Sequence, residues 1–147
     1  INDKLPNIAS RANLKGFAFE YMTGGSVVML GDPGPWICAG MTGGAIYCYL
    51  DEANGLNAEA LKRRLAKGAK IKFMRPDSSD QEIISRLLEE YTFELTRTGQ
   101  AEQLKEAANI KGIMEKIKTG FVALRCDGDA GLVQEKAKAG KEYHFRT

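Results

Sequence analysis

Met22-Thr23-Gly24-Gly25-Ser26-Val27-Val28-Met29-Leu30 recurs nineteen residues on as Met41-Thr42-Gly43-Gly44-Ala45-Ile46-Tyr47-Cys48-Tyr49. Each copy opens on a Gly-Gly turn and runs into a short apolar stretch of mostly β-branched or aromatic residues, which predicts a strand buried on most sides. Paired glycines and runs such as Val27-Val28 disfavour helix. A sharp turn and a short strand returning at a fixed period predict stacked coils of a parallel β-helix, with Val27 near Ile46 and Met29 near Cys48. A meander of hairpins is the alternative that the pattern leaves open.

Working outward, Gly31-Asp32-Pro33-Gly34-Pro35 joins the copies as a loop, and Trp36-Ile37-Cys38-Ala39 supplies a second short side of the coil. Gly24, Gly25, Gly31, Gly34, Gly40, Gly43 and Gly44 are the expected structural turns. Half of the chain's 16 glycines lie between Gly16 and Gly44, which marks that stretch as backbone with many tight turns or close approaches. Gly31 and Gly34 read as a structural turn and not as a phosphate cradle, since no G-x-G-x-x-G is present and no Lys-Ser or Lys-Thr follows. A stack of about two coils leaves unpaired backbone at its first coil. The alternating Phe17, Phe19 and Tyr21 are therefore expected to contact a second copy or a partner subunit.

The 147 residues, 44% hydrophobic and 27% charged, suit one soluble globular domain. The expected division is coils over 14–50, a helix and strand part over 51–126, and a tail over 127–147. No apolar run reaches the roughly 20 residues of a membrane span, and the first residues lack a signal-peptide layout, so a cytoplasmic location is expected. Three cysteines without a close pair fit a reducing compartment. The net charge of +2 is too small to imply nucleic acid, although it hides a split: residues 1–60 carry three basic and six acidic side chains, and the remainder eighteen and thirteen.

Beyond Asp51 the periodicity changes. Asn57 is expected to cap a helix with Ala58, Leu61 and Leu65 on its apolar side, closed by Gly68. Lys70-Ile71-Lys72-Phe73-Met74-Arg75 alternates as a half-exposed strand before Pro76. Ser79-x-x-Glu82 reads as a capping box that opens a helix with Ile83, Ile84, Leu87, Leu88, Tyr91 and Leu95 on one face. A second helix follows Gly99, and Phe121 to Cys126 reads as a last strand.

No residue set here predicts catalysis, a cofactor or a metal site. His144 lies in the tail and is expected to be a surface histidine, since perturbed catalytic groups normally sit in formed pockets and not near chain ends. Cys38, Cys48 and Cys126 lack the close spacing of zinc ligands and read as small buried hydrophobes. The carboxylate pairs Glu89-Glu90, Asp51-Glu52 and Asp127/Asp129 fall on a solvated helix face or beside turns. Lys62-Arg63-Arg64, with Lys67, is the densest basic cluster; it reads as a solvated helix face or as a dock for an acidic partner subunit. No stacking aromatic interleaves it, which argues against nucleic acid.

Glu20-Tyr21-Met22-Thr23-Gly24-Gly25, the strand to Gly31, and Ala39-Gly40-Met41-Thr42-Gly43-Gly44 resemble the last coils of the glycine-repeat (GXGXG) C-terminal domain of the glutamate synthase large subunit. The likeness continues more weakly through Ile83 to Leu95, Thr98-Gly99, Ala101 to Ala108 and Phe121-Val122. It departs at Ala18-Phe19 and at Pro35-Trp36-Ile37, where the family commonly has Gly-Cys and Arg-Asn-Phe. The resemblance implies a mainly β fold, a short right-handed parallel β-helix of about two coils followed by C-terminal helices and short strands. It also implies a non-catalytic part of an oxidoreductase of glutamate biosynthesis and ammonia assimilation, bracing a glutamine-hydrolysing amidotransferase against a flavin and iron–sulfur synthase. The glycine repeats also resemble the β-helical subunit of formylmethanofuran dehydrogenase, and a small-molecule-binding or enzymatic domain that reuses such coils is a further alternative. Gene neighbours discriminate between these readings.

Overall fold

In a computed structural model of the chain, residues 18–127 are described. Four strands, β1 (Thr23–Met29), β2 (Gly43–Tyr49), β3 (Ile71–Met74) and β4 (Phe121–Cys126), form one open sheet in the order β1-β2-β4-β3. The helices are α1 (Ala58–Arg64), α2 (Ser78–Arg97), α3 (Ala101–Met114) and the single turn α4 (Ile117–Gly120).

β1 pairs with β2 in parallel, setting Val27 opposite Ile46 and Met29 opposite Cys48, so the repeat does place its two copies side by side. The parallel pairing rules out a hairpin between the copies. The third place in the sheet goes to β4, antiparallel to β2, and β3 then pairs antiparallel with β4 at the far edge.

This topology overturns the expected right-handed parallel β-helix. Among residues 18–127 the fold is a mixed α/β arrangement with one open mixed sheet and helices. The physical reason is that two repeat units bury too little by themselves; a solenoid needs a third unit to continue its stack. Here an antiparallel strand from near the end of the described chain takes that position. The expected strand at Trp36 to Ala39 is likewise absent, reduced to one parallel bridge between Ile37 and Leu65.

Strict alternation along β2 and β4 sends side chains to two cores. Ile46, Cys48, Val122 and Leu124 pack with Met29, Ile37, Met41, Leu61 and Phe73 under the connecting loop and α1. Ala45, Tyr47, Phe121 and Ala123 pack with Ile84, Leu88, Ile110 and Ile113 of the helical pair. Tyr91 sits at the margin of that face, 44% exposed.

Two helix boundaries differ from the pattern. Asn57 caps α1 as expected, accepting the Ala60 N–H at 2.8 Å, but the helix ends at Arg64 and not at Gly68. Leu65 is extended, because the Ile37 N–H donates to the Arg64 carbonyl and the Ala66 N–H to the Ile37 carbonyl, both at 2.8 Å. The capping box of α2 is Asp77 with Asp80, two residues before Ser79. Each carboxylate accepts the other residue's backbone N–H, at 2.8 and 2.9 Å.

Candidate functional site

The repeat is conformational as well as chemical. Left-handed φ values recur at the nineteen-residue offset: 65° at Phe19 and 68° at Cys38, 55° at Tyr21 and 66° at Gly40, 86° at Gly25 and 91° at Gly44. Non-glycine residues are rare in this region, so Phe19, Tyr21 and Cys38 are held there by their surroundings. The Cys38 N–H donates to Ala18 O (2.9 Å), the Tyr21 N–H to Ala39 O (2.7 Å) and the Thr42 N–H to Met22 O (2.8 Å). Residues 18–21 therefore form a turn and not the extended edge expected from alternating aromatics. Phe19 packs on the first core, while Tyr21 is 73% exposed with its ring lying over Gly40. Phe17 lies outside the described residues.

The expected turn glycines differ in what surrounds them. A Cβ at Gly43 would collide with the Thr23 carbonyl oxygen, and one at Gly44 would lie 2.9 Å from Gly24 O. At Gly24 and Gly25 no described atom lies within 4 Å of that position. Gly34 takes φ 79° and donates its N–H to Asp32 Oδ1 at 2.8 Å, and Gly31 is half-buried at the bend before Asp32.

Two charge clusters that the sequence does not reveal hold the elements together. Arg64 turns inward and grips Asp32 with both ends of its guanidinium, Nε to Oδ1 at 2.8 Å and Nη2 to Oδ2 at 2.6 Å, locking the inter-copy loop onto α1. That placement separates Arg64 from Lys62 and Arg63, which stay exposed on the same helix. On the other face, Asp80 at the start of α2 accepts the Tyr47 hydroxyl at 2.8 Å and pairs with Arg125 of β4. Arg125 Nη2 also donates to the Tyr47 hydroxyl oxygen at 3.2 Å. Burial, reinforced by the Asp80 hydrogen bond, pushes the Tyr47 phenol well above its ordinary range. The one sequence signal was Arg125, a charge inside an otherwise apolar strand.

Cys38, Cys48 and Cys126 are buried free thiols, as their reading as small hydrophobes implies. Burial, and then the neighbouring Cys126, pushes Cys38 up to about 12; burial foremost pushes Cys48 higher still. Protonated thiols are poor nucleophiles and poor metal ligands. Cys38 and Cys126 line one wall of an open cleft of about 270 Å³ with Met41 and Lys70, and the Cys126 thiol donates to Met41 O at 3.0 Å. Among the described residues no three His, Cys, Asp or Glu side chains converge as a metal site. Glu89 and Glu90 are exposed on α2, Asp51 accepts from Asn54 at 2.8 Å, and His144 and Asp129 lie outside the described residues. No described helix is long and apolar enough to cross a membrane.

A family model described as the GXGXG motif matches residues 10–120. The glutamate synthase (NADPH) large chain of Bacillus subtilis is 32% identical over 124 residues, which covers 80% of this chain and 8% of that one. The glutamate synthase (NADH) of Schizosaccharomyces pombe is 35% identical over 88 residues, covering 53% and 4%. The ferredoxin-dependent glutamate synthase of Cyanidium caldarium is 62% identical over 39 residues, covering 26% and 2%. The chain thus spans less than a tenth of the length of each of these relatives.

Proposed function

The chain belongs to the GXGXG motif family, and from that premise we propose that it is a non-catalytic structural domain or subunit of a glutamate synthase-like assembly. In this role it braces an amidotransferase part against a flavin and iron–sulfur synthase part, so that ammonia released from glutamine passes to glutamate formation. The observation that supports the reading best is the use made of its buried charges. Asp32 with Arg64 joins a loop to a helix, and Asp80 with Tyr47 and Arg125 joins a helix to two strands. A catalytic carboxylate or tyrosine would face a substrate-sized space with a proton to exchange. These groups face each other, and each pair fixes the position of one element on another.

Lys62 and Arg63 on the outer side of α1, with Phe17, Phe19 and Tyr21, are the proposed contacts to the other parts. Reconstitution tests the reading. With separately prepared glutamate synthase amidotransferase and synthase parts, this chain is expected to co-purify with both, and glutamine-dependent glutamate formation should fall when it is omitted. Glutamate formation that proceeds equally well without it would refute the bracing role. Glutamine hydrolysis or bound flavin in the chain alone would refute its non-catalytic character.

A further inference from the structure

Ile84, Leu88 and Thr92 fill the inner side of α2, and Phe93 stands 65% exposed on its outer side. Glu90 lies three residues before it and Arg97 four residues after, and both are exposed. At 3.6 residues per turn these spacings set acid, aromatic and base on one outward stripe about two turns long. Arg97 already leans along the helix surface, with Nη2 at 2.8 Å from Glu94 Oε1, while both side chains of that pair stay more than half exposed. Its guanidinium therefore keeps donors for a second carboxylate.

An acid–aromatic–base stripe is its own complement when reversed. Turned end for end about a twofold axis beside Phe93, a second α2 brings its Arg97 to Glu90, its Glu90 to Arg97 and its Phe93 to Phe93. A parallel arrangement instead sets Glu90 against Glu90 and Arg97 against Arg97. We propose that α2 docks antiparallel on the α2 of a second copy of this chain, with the two Phe93 rings in contact at the twofold axis between two Glu90–Arg97 ion pairs. The contact is isologous, so one stripe serves both copies. Burial of the aromatic pair supplies the attraction, and the charges set direction and register. One helix face is a small interface, and exposed ion pairs are individually weak, so the association belongs to the concentration-dependent class. α1 and the helical pair pack on opposite faces of the sheet, so this contact leaves the proposed Lys62 and Arg63 surface uncovered. The inference takes nothing from the structural role above, and its test needs no synthase parts.

Sedimentation equilibrium of the full chain from micromolar to millimolar concentration is the test. The mass is expected to climb towards twice that of one chain. Phe93→Ala, Glu90→Arg and Arg97→Glu should each weaken the dimer by about tenfold or more, because the first removes the apolar contact and the others turn both ion pairs into like-charge pairs. All three positions are exposed, so the melting temperatures should stay close to that of the wild type, which separates lost pairing from lost folding. The decisive sample is an equimolar mixture of the Glu90→Arg and Arg97→Glu chains. Antiparallel docking sets arginine against glutamate at both ends of that mixed pair, so the dimer should return although neither variant forms it alone. A wild-type chain that stays monomeric throughout would overturn the proposal, as it would mean that this face is solvated or is covered by another segment or partner. Dimers that ignore the three substitutions, or a mixture that does not pair again, would overturn it equally.

Discussion

β1 and β2 are built from copies of one sequence unit, and Gly25 and Gly44 hold φ values of 86° and 91°. Yet the first four residues of β1 are exposed, whereas Ala45, Ile46, Tyr47 and Cys48 of β2 are buried. Local sequence sets the backbone shape in both places. Position in the sheet sets the energetic value of each residue, because β2 lies between β1 and β4 with a core on either face while, among the described residues, β1 is an edge. Identical motifs should therefore respond very differently to identical substitutions.

The largest such difference is expected at the second glycine of each turn. Gly44→Val forces a β-branched residue into a left-handed φ and drives its Cβ to within 2.9 Å of Gly24 O. Together these should cost about 3 kcal/mol or more in chemical denaturation. Gly25→Val carries the φ penalty alone, about 1–2 kcal/mol, since no described atom crowds it. Equal losses would mean that the two turns share one environment, and the contrast between edge and centre would collapse.

A second contrast lies at paired positions within the strands. Tyr47 stands opposite Val28 in the register, and its hydroxyl bridges Asp80 and Arg125. Tyr47→Phe leaves the buried Asp80 with one partner fewer and should cost about 2 kcal/mol. Val28→Ala, at a half-buried edge position, should cost about 1 kcal/mol. The reverse order would show that the polar cluster is dispensable.

How much of this could be read in advance follows the range of the interactions. The parallel pairing of the copies is legible because a fixed offset fixes a register, and β4 is legible because Phe121 to Cys126 is apolar except for Arg125. The β-helix was not there to be read. Its failure came from the pairing of β4 with β2, a contact between segments more than seventy residues apart that no local pattern encodes. Arg64 looked like one of three solvated basic residues, and only the return of the loop brings Asp32 against it. Asp80 was overlooked because Ser79-x-x-Glu82 offers an equally good box; the choice falls to the frame that also satisfies Arg125. The left-handed Phe19 and Tyr21 were hidden by residue type, although alignment of Tyr21 with Gly40 carried the hint.

The smallest effect concerns pH and again separates the copies. Cys38 and Cys48 belong to the second unit; nineteen residues earlier stand Phe19 and Met29, which do not titrate. The folded chain holds the Cys38 proton up to about pH 12, whereas an exposed thiol of the unfolded chain releases it near 9.0. Above pH 9 the unfolded state thus binds fewer protons than the folded one, so stability is intact below that pH and falls as pH rises. Cys48, shifted in the same direction, adds to the fall. Each protected thiol should contribute about 1 kcal/mol of loss between pH 9 and pH 10. Denaturation midpoints measured across that interval for the wild type and for Cys48→Ala test the claim. The variant should start from a lower midpoint, because a buried side chain is trimmed, and descend less steeply. Parallel descent of the two curves would show that Cys48 contributes nothing to the pH sensitivity.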